Sequence, residues 1–343
     1  MSFRSKVTIV TVILLGLVIY FGWPQISQAF GLLGQINLWI LALLVPVQLF
    51  SYYAIGAMIF SYLRAKGNLK TTSHWAMTRM ALELNFVNHI IPSGGAAGFS
   101  YLGWVLGRYG VGAGRATMAQ IIRFALAFIS FVLLLIVAVI SLAFDHQINR
   151  MIVMISFAFI LAAVGGTVFI IYIIGSKRRL VIFSGWITRT INTVASRLTR
   201  GKKQQIVKIE ALEDFFEELH QDYLEIRQDK KILIRPLIWA ILVNLADVFL
   251  LVISFLALGT WVNPATLFVA FGVASLASIV SVTPGGTGIY EAIMIAFLAS
   301  AGVPADIAIA GTLVARVTLL LGTVIFGYLF YQLTIVKYGK NPV

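Results

Sequence analysis

From Val7 to Leu63 the chain runs 57 residues without one Asp, Glu, Lys or Arg, and Val248 to Tyr290 is another such run of 43. A water-soluble fold needs apolar residues only on the faces that meet its core, so stretches this long have no place in one. Composition agrees: 60% of residues are hydrophobic and 11% are charged, against roughly 25% charged in ordinary globular domains. The chain reads as an all-α polytopic membrane protein, a single transmembrane domain over residues 1–343. With no cysteine, disulfides, thiolate metal sites and a cysteine nucleophile are excluded.

A spanning helix needs about 20 mostly apolar residues. Six segments qualify: Val7–Trp23, Ile36–Leu63, Thr117–Phe144, Met151–Gly175, Pro236–Gly259 and Ile307–Val336. Arg4 and Lys6 precede the first, and no small-residue cleavage site follows, so it reads as an uncleaved span and not a signal peptide. Two more apolar regions, Met80–Leu106 and Pro264–Ala301, are each broken by a Pro-Gly cluster. Of the 26 Lys and Arg, 23 fall at the N-terminus, in 64–79, at Arg108 and Arg115, in the insert 177–235 and in the tail. Placing these 23 in the cytoplasm alternates the six spans without conflict, with both termini cytoplasmic in the cell membrane. Each broken region must then make an even number of crossings, which a re-entrant pair of half-helices does. One full crossing in the first would put the 13 basic residues of the insert outside.

The broken regions resemble each other. Pro92 precedes Gly110 by 18 residues, and Pro284 precedes Gly302 by 18; Val follows each glycine, and Arg123 and Arg316 lie 13 and 14 residues further on. The predicted architecture is therefore two inverted-topology repeats, 1–145 and 146–336, each of three spanning helices plus a re-entrant half-helix pair. Paired interrupted segments of this kind mark binding sites in transporters, because unwound backbone at membrane depth must be buried in protein or line a wet cavity. The bland alternative is that Pro and Gly merely kink ordinary spanning helices.

Ionisable groups inside the apolar segments are few: Glu83, Arg123, Asp247, Glu291 and Arg316, with His89 beside them. Such groups are costly in lipid and face a cavity or a partner. Arginines grip phosphate bidentately, and carboxylates meet an ammonium group or balance the arginines. The structural alternative is a pair of salt bridges, Glu291–Arg316 and Glu83–Arg123. Asn88, Pro92, Gly94 and Gly95 at the first break and Pro284, Gly285, Gly286 and Gly288 at the second complete the candidate translocation site. HExxH, the P-loop and GxSxG are absent, so no catalytic residue, metal or cofactor is expected.

The insert 177–235 has a basic first part with apolar residues from Phe183 to Leu198 at helical spacing, suited to anionic headgroups. Its acidic second part carries Ile209, Leu212, Phe216, Leu219, Tyr223 and Ile226 on one face, as a surface helix packing on the bundle would. A solvated connector is the preferred reading of the insert, a docking surface the other. Orientation and headgroups account for the net charge of +13, so nucleic acid is not an expected partner.

The run VTPGGTGIYEA at Val282–Ala292, followed by AGV at Ala301–Val303 and by Arg316, together with NHIIPSGGAAG at Asn88–Gly98, resembles the lysylphosphatidylglycerol synthase transmembrane (flippase-like) family. That family includes the membrane half of the multiple peptide resistance factor. The resemblance covers about Val7 to Tyr331 and implies movement of a phospholipid or lipid-linked headgroup across the cytoplasmic membrane. In the best-known members a soluble domain makes an aminoacylated lipid. No such domain follows the last span here, so a lysyl transferase is not expected. Expected partners are membrane lipids with an anionic or lipid-linked substrate; a second copy of the chain or a separate lipid-modifying enzyme is left open. The alternative function is a membrane enzyme or accessory subunit in polyprenyl-linked glycolipid or cell-envelope synthesis.

Overall fold

The computed structural model describes residues 36–91, 96–144, 220–279 and 288–338, with scattered positions in 20–34 and 154–185. Among these residues there are helices and no strand. The helices are α1 (Leu38–Ala42), α2 (Leu44–Ala65), α3 (His74–Ile90), α4 (Ala96–Gly107), α5 (Ala113–Phe144), α6 (Ile234–Ala257, entered through a 3-10 turn at Lys230–Leu233), α7 (Pro264–Ile279), α8 (Ile289–Ser300) and α9 (Ala305–Tyr338), and residues 220–228 of the insert are helical as well. Their starts have local causes. Asn37 Oδ1 accepts the N–H groups of Trp39 and Ile40 at 3.1 and 3.3 Å, and Ser73 Oγ accepts that of Ala76 at 3.2 Å.

Among the described residues, four helical stretches are long and apolar enough to cross a membrane: Leu38–Ala65, Ala113–Phe144, Lys230–Ala257 and Ala305–Val336, of 28, 32, 28 and 32 residues. They match four of the six predicted spans, so the chain is a multi-pass membrane protein. The predicted spans Val7–Trp23 and most of Met151–Gly175 lie outside the described residues, as do Pro92, Gly94, Gly95, Pro284, Gly285, Gly286 and most of the insert 177–235. The two broken regions are pairs of short helices, 17 and 12 residues for α3 and α4, 16 and 12 for α7 and α8. Each is shorter than the about 20 residues of a typical span. Exposed apolar stripes at three- and four-residue spacing, Leu133, Val137 and Ile140 on α5 and Ile325, Leu329 and Leu333 on α9, suit lipid contact.

Packing follows a single exchange rule. When α2, α3, α4 and α5 are exchanged for α6, α7, α8 and α9, every packed pair among these eight helices maps onto a packed pair. Thus α3 on α9 corresponds to α7 on α5, and α4 on α5 to α8 on α9, while α2 on α6 maps onto itself. Four helices end on left-handed glycines, Gly67 after α2, Gly110 after α4, Gly259 after α6 and Gly302 after α8, and members of each exchanged pair are 192 residues apart. There are also two main cores. One joins α2, α3, α4, the start of α5 and the end of α9, around Phe60, Tyr62, Phe86, Leu102 and Leu106. The other joins the ends of α5 and α6 to α7, α8 and the start of α9, around Phe131, Phe255, Phe268, Met294 and Phe297. The first core reaches Leu69 and Val111, at the end of the bundle where the basic residues gather; the second reaches Val262, at the opposite end.

Candidate functional site

The short helices that flank the two breaks carry polar side chains at their described ends. At the second, Gly288 starts α8 with φ +93°, a left-handed conformation that favours glycine. Glu291, one turn in, reaches back so that Oε2 accepts the Gly288 N–H at 2.6 Å. Its other oxygen accepts Arg316 Nε at 2.9 Å, and Glu291 is 4% exposed. The Arg316 guanidinium also lies over the Tyr290 ring, 4.7 Å from its centroid. The expected Glu291–Arg316 pair is therefore formed, with the carboxylate serving a helix start and a cation together. His89, one residue before the end of α3, lies within electrostatic reach of Arg316, so both short-helix pairs approach the same guanidinium.

At the first break the equivalent arginine has no carboxylate partner among the described residues. Arg123 sits over the Phe124 ring, 4.4 Å from its centroid, and its buried Nε has no hydrogen-bond partner. The residue matching Glu291 by its offset from the break proline is Phe99, which stacks on Phe124. Two further buried polar atoms at this break lack partners, Asn88 Oδ1 and Gln120 Oε1. Gln120 donates through Nε2 to the Gly98 carbonyl at 3.4 Å, and a Cβ on Gly98 would collide with the Asn88 amide, so the end of α3, the start of α4 and the face of α5 converge here. Orphaned buried donors and acceptors are uncommon in folded proteins and call for an explanation.

Glu83 does not pair with Arg123. Fully buried, it accepts Arg79 Nε at 3.0 Å, Tyr101 Oη at 2.6 Å and Thr334 Oγ1 at 2.6 Å, while Arg79 Nη2 donates to Thr334 at 2.7 Å. This closed cluster joins α3, α4 and α9. The physical reason is helical register: Arg79 lies one turn before Glu83 on the same face.

Asp247 lies centrally on α6, accepts Ser51 Oγ at 3.2 Å, and has no basic partner among the described residues. It is within electrostatic reach of Tyr52 and Tyr290. Around it runs a network that a charge-based reading of the sequence passes over. Gln48 Nε2 donates to Tyr52 Oη at 2.7 Å and to the Leu319 carbonyl at 2.8 Å, and Tyr52 hydrogen-bonds Thr323. The available signal was Gln48, Ser51 and Tyr52 recurring at three- and four-residue spacing inside an otherwise apolar run. Among the described residues no group of three His, Cys, Asp or Glu comes together to hold a metal ion.

Comparison with known proteins adds a relationship to this geometry. The family profile described as Lysylphosphatidylglycerol synthase TM region matches residues 6–327. A UPF0104 membrane protein of Methanothermobacter thermautotrophicus is 21% identical over 260 residues, 71% of this chain and 75% of its own length. No solved structure matches.

Proposed function

The chain belongs to the lysylphosphatidylglycerol synthase TM region family, and on that premise we propose that it moves a phospholipid or lipid-linked headgroup across the cytoplasmic membrane without chemically altering it. The observation that carries the proposal is the unpaired Arg123, with the orphaned Asn88 Oδ1 and Gln120 Oε1 beside it at a helix break. An unpaired guanidinium donor at membrane depth favours an anion, and a phosphodiester satisfies it, while hydroxyl or ammonium donors of the headgroup satisfy the orphaned Asn88 and Gln120 acceptors. The two halves are inverted repeats with re-entrant pairs α3–α4 and α7–α8, and the basic end of the bundle is cytoplasmic; the exchangeable packing, the paired glycines and the two cores at opposite ends support this reading. Arg123 holds the headgroup phosphate. Asp247 meets a cationic headgroup or takes up a proton. The Glu291–Arg316 pair opens and closes the second break.

The test is reconstitution in phosphatidylglycerol-containing vesicles with a fluorescent headgroup-labelled phospholipid, following its accessibility to an impermeant quencher. Loss of one charge-assisted contact of about 1.5–3 kcal/mol slows movement in Arg123→Gln roughly tenfold or more. Equal rates for wild type and Arg123→Gln, both eluting as intact folded protein, would sink the assignment.

A further inference from the structure

A cavity of about 810 Å³ lies at the basic end of the bundle, apart from the polar groups beside the breaks. Three helix faces line it, and two of them grade from apolar to cationic toward the end of the bundle. On α2 the stripe runs from Phe60 to Arg64, while α3 contributes Met77 and His74. The stripe from α6 back into the 3-10 turn runs from Trp239 through Arg235 to Lys231, one helical turn apart. Tyr53 fixes the aromatic floor by an edge contact with Trp239, 5.4 Å between centroids, and by a hydrogen bond between its Oη and His74 Nδ1 at 3.1 Å. Arg64 spends Nε and one terminal nitrogen on the Leu69 and Thr72 carbonyls. Lys231 and Arg235 are exposed and have no salt-bridge partner among the described residues. The one carboxylate in the lining, Asp229, accepts the Lys231 backbone N–H at 3.0 Å.

We propose that this cavity is a loading site for the phosphate-bearing headgroup of an anionic phospholipid in the leaflet at the basic end. It rests on the lipid-moving reading above and names the class of lipid that enters. Three arginine and lysine side chains face one carboxylate, so the mouth favours an anion. The graded walls match a phospholipid, whose phosphate lies beside its glycerol and acyl carbons, better than they match a free ion, which has no use for Phe60, Met77 and Trp239. The seam between α2 and α6 leads inward from the cavity. Trp239 precedes Asp247 by eight residues, about 12 Å along the helix, and Asp247 is where α2 contributes Ser51.

The test is native mass spectrometry of the full purified chain offered phosphatidylglycerol and phosphatidylcholine in equal amounts. Wild type retains phosphatidylglycerol preferentially. The double variant Lys231→Gln/Arg235→Gln, altered only at exposed side chains, loses that preference by about 30-fold at roughly 1 kcal/mol per cation, and Lys231→Arg/Arg235→Lys keeps it. Arg123→Gln retains the preference while losing lipid movement, which separates this site from the transport assignment. Unchanged retention in the double glutamine variant overturns the proposal. So does complete displacement of the lipid by millimolar inorganic phosphate, which identifies a small-anion site instead.

Discussion

Glu291 shows how much one side chain can join. One oxygen holds the start of α8 through Gly288, and the other neutralises Arg316 on α9. Gly288 has no side chain to complete a reciprocal cap, so the carboxylate alone organises this turn. Glu291→Gln keeps an acceptor for one of these roles and leaves Arg316 without its anion. We expect a loss of about 3 kcal/mol, the range for removing one partner of a buried pair, read as a lower unfolding temperature in detergent. Glu291→Leu/Arg316→Leu should recover part of that loss, whereas equal stability of Glu291→Gln and wild type would show that the pair is not holding α8 to α9. The sequence already names Glu291 and Arg316, because a charge in an apolar run is visible without a structure. Glu83 illustrates the limit. Its charge was legible, but its engagement by Arg79, Tyr101 and Thr334 depends on three helices meeting.

At the scale of elements, the helix 220–228 is the instructive case. The sequence places Tyr223 and Ile226 on a packing face, and both pack against the first core. What anchors the segment is Asp222, 1% exposed, which accepts Tyr62 Oη at 3.0 Å and Arg115 Nε at 3.2 Å, with Lys66 Nζ 3.9 Å away. This ties the insert to the end of α2 and the start of α5, so this part of the insert is docked and not a solvated connector. Asp222→Asn should raise tryptic cleavage at Arg227 and Lys230 by about tenfold or more, because cleavage tracks the population of the undocked state. An unchanged digestion rate would show that apolar packing alone holds the helix. Lys66 also holds the Glu225 carboxyl below the usual glutamate range by hydrogen bonding and charge. A lowered folded value contributes docking that is present above the ordinary glutamate pKa of about 4.3 and is lost as pH falls through the lower folded value. Protection from an acid-active protease should therefore be intact at neutral pH and decline only in that acidic window. Period and polarity made the helix legible; its anchor was not, because Asp222, Arg115, Tyr62 and Lys66 are dispersed along the chain.

For the whole molecule, the decisive property is the exchange of its halves. Close helix approach accompanies it: a phenyl ring sits against a glycine where α3 meets α9, at Phe86 and Gly327, and where α7 meets α5, at Gly272 and Phe131. Small residues of this kind let membrane helices approach closely, in lipid that offers no hydrophobic drive between them. The proposed inverted arrangement makes a direct prediction about sidedness, and the absence of cysteine leaves no background labelling of this chain. Trp261→Cys, at an exposed site between α6 and α7, should react with an impermeant maleimide in intact cells. Lys70→Cys, between α2 and α3, should react only after permeabilisation. Labelling of both from the same side would refute the inverted arrangement. The sequence by itself determined the membrane class, four described spans, the two broken regions and the short list of intramembrane charges, because lipid penalises every charge and every interrupted helix locally. Only the tertiary structure decided which charges are paired. Glu83 is closed off by three donors, Arg316 is neutralised by Glu291, and Arg123 is left without a carboxylate among the described residues, since a partner is set by which helices meet, and those meetings join residues far apart in the chain.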